Sequence, residues 1–151
     1  MTVELSMVAA LIALGMFQLA LTAIEYRRVH GVKYANTARD VASEKTDSKL
    51  LGRLSRAQSN LMETAPHFFA LALIIHLTGL STDTTQLAAI AFVALRLIYL
   101  PLYAFGVPDI RGLVWTLSFI ALGVMAYAVL ITVPWAAVHE PVLRLVHSFG
   151  G

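Results

Sequence analysis

Lys49, Arg53, Arg56, Asn60, Glu63 and His67 follow one another at intervals of three or four. On an α-helix, at 100° per residue, all six fall within about 80° of arc. The opposite face carries Leu54, Leu61 and Met62. Further along, Arg96, Tyr99 and Tyr103 repeat the spacing, and Arg111 and Trp115 share a face soon after. Each of these side chains has a definite chemistry. The arginine fork matches a carboxylate or another planar anion. An acid held among several arginines meets a cation or an ammonium group, and an asparagine serves donors and acceptors alike. Three arginines against one deep glutamate leave an excess of positive charge, which calls for an anionic ligand.

The stripes must be placed by elements, and composition identifies those. The chain has 151 residues, 58% of them apolar and only 13% charged, about half the charged share of an ordinary soluble domain. Seven of the eleven Lys/Arg lie between Arg27 and Arg53, whereas residues 5–24 and 112–138 contain none. A soluble bundle needs charge over its whole surface, so this pattern predicts an all-α integral membrane protein, a bundle of four transmembrane helices in a single domain. The net charge of +2 and pI near 9.2 do not point to nucleic acid, because the basic residues flank hydrophobic spans, where they set topology and meet lipid headgroups. There is no cysteine, which excludes disulfides and protein thiolates; any thiol must arrive with a substrate. His30, His76, His139 and His147 are scattered, and no metal site is expected.

The first span is expected at about 2–25, ending in Tyr26-Arg27-Arg28. With Glu4, no early Lys/Arg and an apolar run of about twenty residues, it reads as a retained helix and not a cleaved signal. A polar loop is expected at 29–47, carrying a mixed-charge run around Arg39-Asp40 and Glu44-Lys45. The second span is expected at about 48–77 with Asp47 or Ser48 as its N-cap, the third at about 84–105, and the fourth at about 110–132 with Asp109 as N-cap. The tail, 136–151, has apolar residues at helical spacing and is read as lying along the membrane surface. The Lys/Arg distribution puts the first and third loops in the cytoplasm and both termini outside. Tyr26 and Trp135 read as interfacial belt residues, and Glu25 as a solvated helix-end acid.

An ionisable group at the bilayer centre costs at least about 2.5 kcal/mol, so such groups face the bundle interior or a wet cavity. Three stripes converging on one end therefore favour a ligand site over interhelical glue, which Ser, Thr and Asn can supply unaided. A small transporter or channel is the competing reading, but such sites sit near the midplane with access from both sides, and here the polar stripes fade toward the outer half. Lys49 and Arg53 can also serve as interfacial anchors, and His67 as a hydrogen-bonded structural residue.

The run Arg56-Ala57-Gln58-Ser59-Asn60-Leu61-Met62-Glu63-Thr64-Ala65-Pro66, with Arg96-Leu97-Ile98-Tyr99-Leu100-Pro101-Leu102-Tyr103 and the following Arg111, closely resembles the membrane-associated proteins in eicosanoid and glutathione metabolism, the MAPEG family. The resemblance implies a homotrimer that binds glutathione between neighbouring subunits near the cytoplasmic side. In that reading Arg56, with Arg53, clamps a carboxylate, Glu63 pairs with the γ-glutamyl ammonium, and Asn60 hydrogen-bonds the peptide amides. Arg96, Tyr99 and Tyr103 line the neighbouring wall. Arg111 matches the arginine that stabilises the thiolate, Tyr103 is a second donor to the sulfur, and Arg27 or Arg28 resembles a further ligand arginine at the end of the first span. Ser59, Thr64 and Gly112 depart from the residues of the prostaglandin- and leukotriene-forming branches. The implied activity is accordingly a general glutathione transferase or peroxidase acting on a lipophilic small molecule, with a non-catalytic glutathione- or lipid-binding protein as the alternative.

Overall fold

In the computed structural model the described residues are 1–134, except Arg39 and Glu44. Trp135, the tail at 136–151 and part of the mixed-charge run lie outside them. Five helices follow in order: α1 (Val3–His30), α2 (Val32–Ala35), α3 (Lys49–Thr78), α4 (Asp83–Phe105) and α5 (Pro108–Leu130). No strand occurs among the described residues. α1, α3, α4 and α5 are each long and apolar enough to cross a membrane. With so few residues able to face water, they form a membrane-spanning four-helix bundle.

Each helix starts and stops for a local reason. Thr2 caps α1, its hydroxyl accepting from the Leu5 N–H. Ser48 caps α3 through the Leu51 N–H at 3.0 Å, and Thr82 and Thr85 form a reciprocal capping box at the start of α4. α3 and α4 end on Gly79 and Gly106, both left-handed with φ of 70° and 76°, the conformation that glycine alone adopts without a steric penalty. The α4–α5 turn differs from expectation. Pro108 opens α5 at its first position with Val107 as N-cap, so Asp109 falls inside the first turn instead of capping it. Proline is preferred there because its missing N–H would have no helical partner.

The core is a column of fully buried apolar residues: Leu11, Leu61, Phe68, Ala72, Ile75, Ala89, Phe92 and Met125. Phe68 of α3 stacks on Phe92 of α4, with centroids 4.7 Å apart, and this contact fixes the facing of those two helices. Large apolar side chains such as Phe17, Leu19, Leu97 and Phe105 remain exposed on the outer surface. In water they would form an aggregation-prone coat; in a bilayer they are the lipid-facing surface.

Both ends of the bundle are tied by buried polar groups. At one end the fully buried Glu4 carboxylate accepts from the hydroxyls of Ser81 and Thr85, joining the start of α1 to that of α4. At the other, α1 runs on past Glu25 to His30, further than expected. Glu25 is only 6% exposed and accepts from Ser48 Oγ at 2.8 Å, so it is a buried acid and not a solvated one; the acceptor it provides secures the α3 cap. Within the 29–47 segment the short helix α2 follows α1, Asp40 and Lys45 are exposed as expected of a polar loop, and Ser43 and Asp47 close on His30. Asp47 can only accept, so the His30 Nε2–H donates to it at 2.7 Å, and Ser43 Oγ lies 2.7 Å from Nδ1.

Candidate functional site

α3, α4 and α5 bring most of the polar stripes together near the end where α3 begins and α4 turns into α5. The centre is Arg96, 1% exposed. Its Nη1 donates to Asn60 Oδ1 at 2.6 Å, while Asn60 Nδ2 points to Glu63 Oε2 at 3.5 Å. This orients the amide, oxygen toward the cation and nitrogen toward the acid. The guanidinium also lies against the rings of Phe92, at 5.2 Å, and Tyr99, at 5.7 Å, so aromatic faces supply part of the missing solvation. Nε and Nη2 of Arg96 are buried without a hydrogen-bond partner. Leaving donors of a buried cation unmatched is costly, and an oxyanion is the kind of group that would match them.

Beside it, two cations bracket one ring. Arg111 lies 4.6 Å and Arg56 6.0 Å from the centroid of Tyr103, and Tyr103 packs edge-on against Tyr99 at 5.4 Å. Arg111 is half-buried and Arg56 exposed. With Arg96 nearby on α4, the positive potential of all three is focused on a low-dielectric wall of phenol rings, an arrangement that draws and holds an anion.

The remaining expected residues divide. Glu63 is exposed beside Asn60. Arg53 is engaged elsewhere: its Nη1 donates to the Ala104 carbonyl at 3.2 Å, and its guanidinium covers Gly106, where an added Cβ would overlap it. It clasps the start of α3 to the α4–α5 turn. Arg28 pairs with Glu25 at 3.4 Å and its side chain is 76% exposed; one chain does not bring it to the stripe. Arg27 lines a separate cavity with Asp47, Leu51 and Ser55. Lys49 is exposed at the first turn of α3. No metal-ligand cluster occurs among the described residues.

Two contributors went unforeseen. Phe92, one helical turn before Arg96, supports the guanidinium from below; the i, i+4 spacing was a usable signal. The other is an apolar groove of 430 Å³ between α3 and α5, lined by Glu63, Thr64, His67, Leu71, Phe119 and Gly123 among others. Trp115 stacks on Phe119 with centroids 5.4 Å apart, forming a flat aromatic strip along α5 between Arg111 and the groove. His67 Nδ1 lies 3.0 Å from the Glu63 carbonyl of its own helix. A larger cavity, 530 Å³, lies under the connector beside His30, Tyr34 and Ser43, away from the arginine cluster.

Residues 5–131 match the family model of the MAPEG family. Neither the curated proteins nor the solved structures yield a match.

Proposed function

The chain belongs to the MAPEG family, whose members are membrane proteins that generally use glutathione, and on that premise we propose that it is a glutathione-dependent transferase or peroxidase acting on lipophilic electrophiles. One observation carries most of this reading: Arg56 and Arg111 flank Tyr103 while Arg96 keeps two unmatched donors beside them. Glutathione has two carboxylates, an ammonium and a thiol. The exposed Arg56 takes carboxylate oxygens with the buried Arg96 adding its positive charge behind it, Glu63 takes the ammonium, and Asn60 and Tyr99 complete the lining. Arg53 reinforces the wall from its clasp on the turn. The ligand brings the sulfur that the chain lacks.

The sulfur is assigned to the Arg111–Tyr103 corner. A free thiol with a pKa of about 8.5 is mostly protonated at neutral pH, and a cation in a low-dielectric site favours the thiolate. The Arg111 guanidinium supplies that charge and the Tyr103 hydroxyl donates to the sulfur. The thiolate then attacks an electrophilic carbon and expels its leaving group. With a hydroperoxide it attacks the terminal oxygen, giving a sulfenic acid and an alkoxide that takes up a proton; a second glutathione converts the sulfenic acid to disulfide and water.

In this proposal three copies assemble as a homotrimer, the site opens to the cytoplasm, and both termini lie outside. A ligand arginine from the end of α1, Arg28 or its neighbour Arg27, then comes from the adjacent subunit. Purified protein in detergent should show a glutathione-dependent rise in thiolate absorbance near roughly 240 nm and turn over 1-chloro-2,4-dinitrobenzene. Absence of both would overturn the proposal. Sedimentation of the detergent complex tests the trimer.

A further inference from the structure

His30, Ser43 and Asp47 form a second polar constellation, at the end of α1 and outside the arginine cluster. His30 Nε2 lies 2.7 Å from Asp47 Oδ1, and Nδ1 lies 2.7 Å from Ser43 Oγ. A hydroxyl, an imidazole and a carboxylate in that order are the groups of a nucleophilic triad, which is recognised by geometry and roles and not by chain order. The ring is used the other way round from the usual triad, with the acid on Nε2 and the hydroxyl on Nδ1. Either imidazole nitrogen can carry a proton or accept one, so the chemistry is the same.

Local structure holds the three groups in place. His30 closes α1, and Gly31, with φ of 88°, turns the chain into α2. The imidazole packs against Tyr26 at 4.5 Å and Tyr34 at 5.8 Å, and its side chain is only 4% exposed. Tyr34 Oη donates to the Val41 carbonyl at 2.9 Å, which ties the chain just before Ser43 to α2. The Lys45 N–H donates to Ser43 Oγ at 3.2 Å, a dipole aimed at the oxygen that turns negative as the hydroxyl loses its proton. A hydrogen-bonded latch would account for these contacts but needs no space beside it. Here His30 and Ser43 line the 530 Å³ cavity under the connector, with Tyr34, Val41, Ala42 and Lys45. Small-molecule sites span about 300–1,000 Å³, and Ser43 is half-buried and not sealed. The small apolar walls suit a short acyl group.

We propose that Ser43 is the nucleophile of a separate esterase site, with His30 as its general base and Asp47 as a positioning residue, taking short-chain carboxylic esters into the connector cavity. Ser43 Oγ attacks the ester carbonyl carbon as its proton passes to His30 Nδ1. The tetrahedral adduct collapses, the bond to the alcohol oxygen breaks, and the departing alkoxide takes the proton from Nδ1. Water then attacks the acyl-serine, giving a proton to Nδ1, and the carboxylic acid leaves as Oγ regains that proton. Asp47 accepts from Nε2–H throughout and balances the charge of the imidazolium. The cycle consumes no glutathione and stands apart from the transferase reading.

Full-length protein in lipid nanodiscs, without glutathione, is treated with a fluorescent fluorophosphonate, which a triad serine attacks at phosphorus with loss of fluoride. Mass spectrometry locates the labelled residue, and release of p-nitrophenolate from p-nitrophenyl butyrate is followed in parallel. Label on Ser43 and steady release are expected, both abolished by Ser43→Ala. His30→Gln has an amide that can keep both hydrogen bonds, so a latch survives it, but it is no base and should slow labelling about 10²–10⁴-fold. Asp47→Asn should slow labelling about tenfold, and Asp47→Glu should recover part of that loss. The proposal is overturned if the wild type carries no label on Ser43, or if His30→Gln labels at the wild-type rate. Glutathione-dependent turnover of 1-chloro-2,4-dinitrobenzene should be unchanged in Ser43→Ala; its loss there would overturn the claim of a separate site.

Discussion

Replacing Asn60 with leucine gives the sharpest test of the arginine cluster. Leucine has the same branching and number of side-chain heavy atoms as asparagine, so the shape of the helix contact is approximately kept, but the acceptor at 2.6 Å from Arg96 Nη1 disappears. Nε and Nη2 already lack partners, and the guanidinium is 1% exposed, so a buried cation would keep only the faces of Phe92 and Tyr99. Hydrogen bonds to charged groups contribute about 1.5–3 kcal/mol, and breaking a fully buried ion pair costs about 3–5 kcal/mol. Asparagine is neutral and the aromatic faces remain, so a loss of about 2–3 kcal/mol is expected. Asn60→Asp should behave oppositely, since a carboxylate facing Arg96 offsets its repulsion with Glu63. Unfolding of the apo protein by SDS titration in mixed micelles, followed by circular dichroism, measures both. If Asn60→Leu unfolds with the wild type, or Asn60→Asp is as unstable as Asn60→Leu, Arg96 is solvated by other means and its unmatched donors do not call for a ligand.

Arg111→Ala should lower turnover far more than it weakens glutathione binding. Loss of the cation raises the thiol pKa, so the rise of kcat/KM with pH should move upward by about one to three units, while Arg111→Lys recovers part of the shift; stopped-flow thiolate absorbance against pH checks this. Gly106→Ala should destabilise by about 1–3 kcal/mol through its left-handed φ and by further strain against the Arg53 guanidinium. That extra component should vanish in an Arg53→Ala background, which a double-mutant cycle on unfolding resolves. Glu4→Ala strands the Ser81 hydroxyl and leaves Thr85 only its Thr82 carbonyl; it should cost about 1–3 kcal/mol without changing KM for glutathione, because it lies at the opposite end of the bundle.

Much of this was legible in the sequence, for physical reasons that differ by residue. The four spans follow from hydropathy, which a bilayer enforces uniformly along each helix. The stripe through Arg56, Asn60 and Glu63 is legible because helical periodicity is local, and so is its convergence with Arg96, Tyr99 and Tyr103. Glu25 misled because its partner, Ser48, lies 23 residues away, and no local pattern distinguishes a buried helix-end acid from a solvated one. Asp109 misled because Pro108 claims the first helical position. Arg53 shares the spacing of the stripe, yet its length lets it reach the Ala104 carbonyl, and only the packed turn reveals that. The groove beside His67 was hidden because its lining has the same residue types as the lipid-facing surface.

The pairing of Arg96 with Asn60 also bears on how the protein enters its membrane. An arginine at the centre of a span is among the least favourable residues to insert, at about 2.5–3.5 kcal/mol. Asn60 precedes it by 36 residues, so α3 is synthesised before α4. The acceptor is thus already in the bilayer when the cation arrives. The chain order lets the helix that carries the penalty enter beside one able to relieve it, and reversing these two spans would remove that advantage while leaving the composition unchanged.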